Sequence, residues 1–410
     1  MQFSKTQKKT ILKKNLLLSF FLCLALGPAM AQTNDFKVIG YLPYYRFAYN
    51  SQIEYERLTH VNLAFANPDM SGQLSLDGQD PTPVIEAAHQ AGAEVFISLA
   101  GGALTPAWEA AWEHLMLPEN RSAFIHQIMV YVAENSFDGV DFDLEWSHVN
   151  EKYSPFVLEL RDSMDAHGLP LTAALPGTYR YPDISEEALA AFDWVNMMAY
   201  DLTGSWDPNN PGPHSPYSFA LNSMFYWQGQ GVPKPQLTLG VPFYGYNFGT
   251  SPVSSARYAT IVGWDPANAW ADQVDQVYYN GIPTIVDKTE LALSQLGGIM
   301  IWELGQDDFS DLSLLRAIDE TVNGVTQAED ELPLAARAYP NPLGAALIVE
   351  NPGPEVLLGR LFDSSGRPLA AAIIQPGTDY QYPTLNLPAG LYVLNLQSGG
   401  VQRSIKLVKP

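Results

Sequence analysis

From Phe36 to about Ile318, short runs of β-branched and aromatic residues alternate with longer amphipathic ones, the pattern that βα units with a parallel sheet produce. Eight runs read as strands: Val38–Leu42, His60–Ala66, Glu94–Leu99, Gly139–Glu145, Leu171–Leu175, Trp194–Tyr200, Gln236–Val241 and Gly298–Glu303. Between them Phe124, Ile125, Ile128, Met129 and Val132 recur at helical spacing, and Thr82-Pro83 opens Val84–Gln90 as a cap plus first-turn proline. Trp108 and Trp112 stand at i, i+4 and are expected on one helical face. Eight strands with helical crossovers predict an α/β fold, a closed (β/α)8 TIM barrel over residues 36–320. The stretch from about 247 to 296 is long for one crossover and is expected to carry an insertion.

The pattern then changes. Thr326 to Leu334 is polar and acidic, with Glu329, Asp330 and Glu331 ahead of Pro333, and reads as part of a linker over 321–337. Beyond it, Ala346–Val349, Leu357–Phe362, Ala370–Ile374, Leu391–Leu396 and Ser404–Val408 are short apolar runs separated by glycine and proline turns. They predict a small C-terminal all-β sandwich over 338–410.

Composition adds an export signal and removes several partners. Lys5, Lys8, Lys9, Lys13 and Lys14 precede an apolar run from Leu16 to Leu26 and then Ala29-Met30-Ala31, so residues 1–31 read as a signal peptide. The sole cysteine, Cys23, lies inside it. The 22 basic residues, less those five lysines, leave 17 against 44 acidic ones, a net charge near −27. Such a chain is not expected to seek nucleic acid or anionic membranes, and no later apolar stretch is long enough to span one. The seven histidines never fall at a metal-ligand spacing, so neither metal nor cofactor is expected.

The chemistry concentrates in Phe137-Asp138-Gly139-Val140-Asp141-Phe142-Asp143-Leu144-Glu145-Trp146. Side chains alternate along a strand, so Asp141, Asp143 and Glu145 share one side while Val140, Phe142, Leu144 and Trp146 share the other. The apolar set suits packing against helices, which turns the acids into the barrel, where three carboxylates cannot all ionise cheaply. A solvated acidic face is the alternative for such a decapeptide in isolation, but a parallel barrel strand has no solvent face along its length. Glu145 falls at the C-terminal end of the strand, where this fold builds its sites, and a carboxyl that keeps its proton near neutral pH suits a general acid.

Asp138-Gly-Val-Asp141-Phe-Asp143-Leu-Glu145 resembles the DGxDxDxE signature of glycoside hydrolase family eighteen, the chitinases and their relatives. Met198-Ala-Tyr200-Asp201 is similar to that family's sixth-strand MxYD motif, and Trp302 resembles the eighth-strand tryptophan that floors the sugar pocket. Gly40-Tyr41 resembles the first-strand motif, and Ser98-Leu-Ala100-Gly101-Gly102 the SxGG motif, with Ala100 at its first glycine position. Taken alone, Trp302 reads as core, a reading that its place at a strand's C-terminal end after Gly297-Gly298 reverses; a helix cap is the alternative for Asp201, and buried partners of Asp141 the alternative for Ser98 and Tyr41. Trp206, Tyr244 and Trp264 lie in segments able to line a cleft.

The resemblance implies retaining hydrolysis without an enzyme nucleophile. Glu145 would protonate the glycosidic oxygen and the substrate's 2-acetamido oxygen would attack the anomeric carbon. Asp143 would hold the acetamido N–H, Asp141 would share a proton or hydrogen bond with Asp143, and Tyr200 would donate to the acetamido oxygen. The implied partner is an N-acetylglucosamine polysaccharide or oligosaccharide, chitin first, with N-glycans and peptidoglycan as alternatives. A lectin on the same fold usually lacks the last acid of the motif, and Glu145 is present. In the tail, Tyr339-Pro-Asn-Pro342, Leu361-Phe-Asp363-Ser-Ser-Gly366-Arg367, Leu387-Pro-Ala-Gly390-Leu-Tyr392 and Lys406-Leu-Val-Lys409 resemble the C-terminal sorting domain of the type IX secretion pathway. That implies Sec export, then passage across an outer membrane by the type IX machinery; an accessory sugar-binding sandwich is the alternative.

Overall fold

Parallel barrel strands are covered by helices outside and packed side chains within, so nearly all their residues are buried, on both faces. That is the state of β1 (Lys37–Pro43), β2 (His60–Pro68), β3 (Glu94–Gly101), β4 (Gly139–Leu144), β5 (Leu171–Pro176), β6 (Trp194–Met198), β7 (Leu237–Pro242) and β8 (Gly298–Trp302). All eight pair in parallel, and β1 bonds to both β2 and β8, closing the expected TIM barrel. The computed structural model describes residues 36–327, 336–340, 343–354, 356–363, 368–388, 390–398 and 401–409. The segment read as a signal peptide lies outside them, as do 328–335 of the expected linker.

The helices are α1 (Thr82–Gln90), α2 (Pro106–Leu115), α3 (Pro118–Asn135), α4 (Tyr153–His167), α5 (Glu186–Ala190), α6 (Tyr217–Gly229), α7 (Tyr258–Trp264), α8 (Ile282–Gln295) and α9 (Leu314–Gln327). The five apolar residues expected on one face of α3 are its buried ones. Thr82 differs from expectation: it is the first helical residue and makes no side-chain cap, while Asp80 accepts its N–H at 3.0 Å. Between β1 and β2 the chain makes 3-10 turns, Tyr44–Gln52 and Tyr55–Arg57, and places Tyr44 and Tyr45 at the barrel mouth. α9 runs through 321–327, where the linker was expected, because its apolar spacing continues from Leu314, Leu315 and Ile318 to Val322, which packs on the core.

The insertion after β7 is a four-stranded antiparallel sheet of Tyr244–Asn247, Ser254–Arg257, Gln273–Val274 and Val277–Tyr278, together with α7. It starts three residues before the expected gap, and the crossover helix α8 follows it. In the tail, Ala346–Asn351 pairs with Arg337–Tyr339 and Thr378–Pro383 in one sheet. Leu357–Asp363, Pro368–Ile374, Gly390–Ser398 and Val401–Lys409 form the second, and both contribute to a core that includes Leu347, Leu361, Tyr382 and Leu394. The tail strands not anticipated, Arg337–Tyr339 and Thr378–Pro383, carry mixed polar sequences without an apolar run.

Candidate active site

Register sets the inner layer. Ser98 of β3, Asp141 of β4 and Thr172 of β5 are cross-strand partners, so all three enter the barrel at one level. Asp141 is fully buried and accepts four hydrogen bonds. Tyr41 Oη (2.6 Å) and Ser98 Oγ (2.7 Å) donate to its Oδ2; Thr172 Oγ1 (2.6 Å) and Asn196 Nδ2 (3.1 Å) donate to its Oδ1. Thr238 donates to Asn196 Oδ1 at 2.7 Å, which fixes the amide's orientation. Burial pushes the Asp141 pKa up, and the four donors oppose the rise.

One pleat further out, Asp143 pairs with Ala100 and is buried, and its Oδ1 meets no donor. Burial first, then the charges of Glu145 and Asp141, push its pKa far above the carboxylate range. Glu145 follows the last residue of β4 and is half-buried at the mouth. Its pKa rises to about 7 through burial and then through the Asp201 charge. The strand thus carries its acids from a donor-saturated interior site to an open rim. Gly102 is needed for that last placement, because a Cβ there would lie 2.3 Å from Glu145 Oε1. The backbone approaches through Ala100 and Gly101, both left-handed at φ 78° and 84°, so Ala100 follows a glycine's path.

The facing wall comes from the end of β6. Tyr200 is buried, and burial with the nearby Asp143 charge holds its phenol proton tightly. Asp201, at φ 60°, exposes part of its carboxylate to the cleft and accepts from Tyr244 Oη, and from Tyr246 Oη at 3.1 Å. Trp302 ends β8 with its ring centroid 5.7 Å from Tyr41 and 5.6 Å from Phe65, nearly parallel to the latter. These walls enclose a cleft of about 410 Å³. Its lining combines aromatic faces with a half-buried acid and a phenol, which suits stacking on sugar rings and proton transfer to a bound oxygen.

A family model for glycosyl hydrolases family 18 matches residues 37–307. The chain belongs to glycosyl hydrolase family 18. It is 44% identical to the solved structure of a family 18 chitinase, ChiB, from the chitin utilization locus of Flavobacterium johnsoniae, at TM-score 0.69, over 70% of this chain and 94% of that one. It is 27% identical to Probable chitinase 10 and 26% identical to Probable chitinase 2 of Drosophila melanogaster, over 58% and 61% of this chain. The matches span 13% and 66% of those two relatives' own lengths.

In this family 18 hydrolase, Tyr41, Asp143, Glu145, Met198, Tyr200, Asp201 and Trp302 all line the cleft, as sequence reading brings them together. Asp141 and Ser98 stand behind it, and Tyr244 lies beneath Asp201 as its donor. Both oxygens of Asp141, the acid that the resemblance pairs with Asp143 through a shared proton or hydrogen bond, already accept from two donors each. Asp138, at the other end of β4, accepts from Val95 N at 2.7 Å and pins the strand.

Trp146 does not join Val140, Phe142 and Leu144 on the helix side. The strand stops at Leu144, Trp146 adopts φ 59°, and its exposed indole donates to Gly102 O at 3.1 Å over the cleft. Trp108 and Trp112 also separate: Trp112 is buried and donates to Asn67 Oδ1 at 2.8 Å, whereas Trp108 lines the cleft. Neither Trp206 nor Trp264 lines it. Sequence reading missed Thr172 and Asn196, which inward alternation along β5 and β6 marks once the strands are in register, and Phe65, Tyr44 and Tyr45, which no periodicity marks.

Proposed function

We propose that this enzyme hydrolyses β-1,4 N-acetylglucosamine linkages of chitin or chito-oligosaccharides by substrate-assisted retention, with Glu145 as acid and then base. The observation that carries the reading is the inward row of acids, of which Glu145 alone stands at the rim with a pKa raised to about 7. A sugar stacked on Trp302 brings its glycosidic oxygen to Glu145, which gives up its proton as the bond to the leaving alcohol breaks. The acetamido oxygen closes on the anomeric carbon from the opposite face, forming an oxazolinium ion. Asp143, with an oxygen lacking any donor, takes the acetamido N–H, and Tyr200 donates to the acetamido oxygen. Glu145, now a carboxylate, removes a proton from water, whose oxygen adds to the anomeric carbon and reopens the ring with the β configuration. A nucleophile that belongs to the substrate needs clamping more than activation, and the buried acid and phenol supply orientation and charge stabilisation.

The enzyme acts outside the cytoplasm in this reading, exported through residues 1–31 and carried by its two-sheet tail as a type IX sorting domain. Supporting the tail assignment are its antiparallel sheets and the motifs quoted above. The test is a panel of chito-oligomers, an N-glycoprotein and peptidoglycan read by product mass, with ¹H NMR of the first products. Cleavage of chito-oligomers to β-anomers is expected; α-anomers at first appearance overturn acetamido participation, and cleavage of the glycoprotein or peptidoglycan alone overturns the substrate.

A further inference from the structure

Lys288, on α8, is fully buried, and its Nζ donates to three acceptors at 2.7 Å: the carbonyl oxygen and Oγ of Ser215, and Oδ1 of Asn280. An ammonium group has three donors, so this site fits the charged form. Burial pushes the lysine pKa down to about 7 while the Asp272 carboxylate pulls the other way, so an acidic buffer reads the ammonium. Burying a charge with no carboxylate bonded to it is costly, and its surroundings show what it holds.

Ser215 Oγ donates in turn to Ala199 O at 2.7 Å, the carbonyl just before Tyr200. Asn280 Nδ2 braces Ser215 O at 3.0 Å. The preceding His214 is equally buried: its carbonyl accepts from Leu202 N at 2.9 Å, Asp201 N donates to its Nδ1 at 3.4 Å, and its Nε2 lies 3.1 Å from Tyr244 O. Asp201 sits between these contacts in the left-handed region, a conformation that a non-glycine residue keeps only where its surroundings over-determine it.

We infer that Lys288 is a positioning residue for the reaction: its ammonium clamps Ser215 and His214 and, through them, fixes Tyr200 and Asp201 at the barrel mouth. Lys288 itself does not line the cleft. The inference rests on the part given above to Tyr200 in holding the acetamido group.

Lys288→Met keeps the stem and removes the three donors. It is assayed on chitotetraose in acidic buffer beside the binding of chitobiose thiazoline, a stable sulfur analogue of the oxazolinium ion. The expected result is a kcat about 10²-fold lower with thiazoline affinity falling in parallel, as a displaced clamp produces, and KM within about threefold of wild type, because the loss falls on the transition state. A lysine that only supports the fold lowers yield or melting temperature and leaves kcat per folded enzyme and thiazoline affinity unchanged; that result overturns the inference. Should Lys288→Met not fold, Ser215→Ala removes the link to Ala199 O while leaving two acceptors on Lys288. A kcat roughly tenfold lower is expected there, and an unchanged kcat overturns the inference. Wild-type enzyme that cleaves chitotetraose yet does not bind the thiazoline sinks the acetamido mechanism instead, while the kcat comparison still decides the clamp.

Discussion

Asp141→Asn tests how charge is distributed over the three acids. All four groups around the carboxylate are positioned to donate, and three are hydroxyls: Tyr41, Ser98 and Thr172. The fourth, Asn196 Nδ2, has its orientation fixed by Thr238. An asparagine amide therefore keeps its oxygen toward Thr172 and Asn196 and turns its NH₂ onto Tyr41 and Ser98. Two hydrogen bonds to a charged acceptor, each worth about 1.5 kcal/mol or more, are lost and replaced by donors facing donors until the hydroxyls rotate, for a total near 3 kcal/mol. Guanidinium and thermal melts of both proteins measure it, and a fall of roughly 6 °C in Tm is expected. Ser98→Ala, which removes one donor and leaves three, should cost less than Asp141→Asn. Were Asp141 protonated in the fold, asparagine would replace it almost isosterically; an Asp141→Asn protein as stable as wild type refutes the reading that the four donors hold a carboxylate there.

Gly102→Ala places a methyl 2.3 Å from Glu145 Oε1, so kcat is expected to fall about 10²-fold with little change in Tm, because Gly102 is exposed. Steady-state kinetics and a melt on the same sample check it; full activity contradicts the close approach. Asp201→Asn removes a charge that raises the Glu145 pKa. A general acid works while protonated and fails as pH rises through its pKa, so the alkaline limb of the pH profile should move to lower pH, and a limb that stays or moves up contradicts the coupling.

The barrel was legible because parallel strands are apolar runs, and its acids were legible because alternation has period two: Asp141, Asp143 and Glu145 needed only one strand to be read together. Thr172 and Asn196 required the register of neighbouring strands, which single-strand periodicity does not contain. Trp146 was misplaced because extrapolating alternation past Leu144 ignores the left-handed turn that follows. Tyr244 reads as a cleft residue in sequence yet sits under Asp201, since the insertion sheet turns it toward His214, its ring centroid 4.9 Å away. Lys288 and His214 carried no signal, as a buried cation on a helix is visible only once its acceptors are assembled around it.

In the proposed mechanism Glu145 keeps a proton near neutrality and passes it to the leaving sugar. This transfer is tested most directly by the pH dependence of kcat/KM on chitotetraose for wild type and Glu145→Gln. An alkaline limb near pH 7 is expected in wild type, with the variant at least about 10²-fold slower, lacking that limb and still binding the oligosaccharide. A limb that survives in Glu145→Gln, or turnover that the substitution leaves intact, contradicts the transfer.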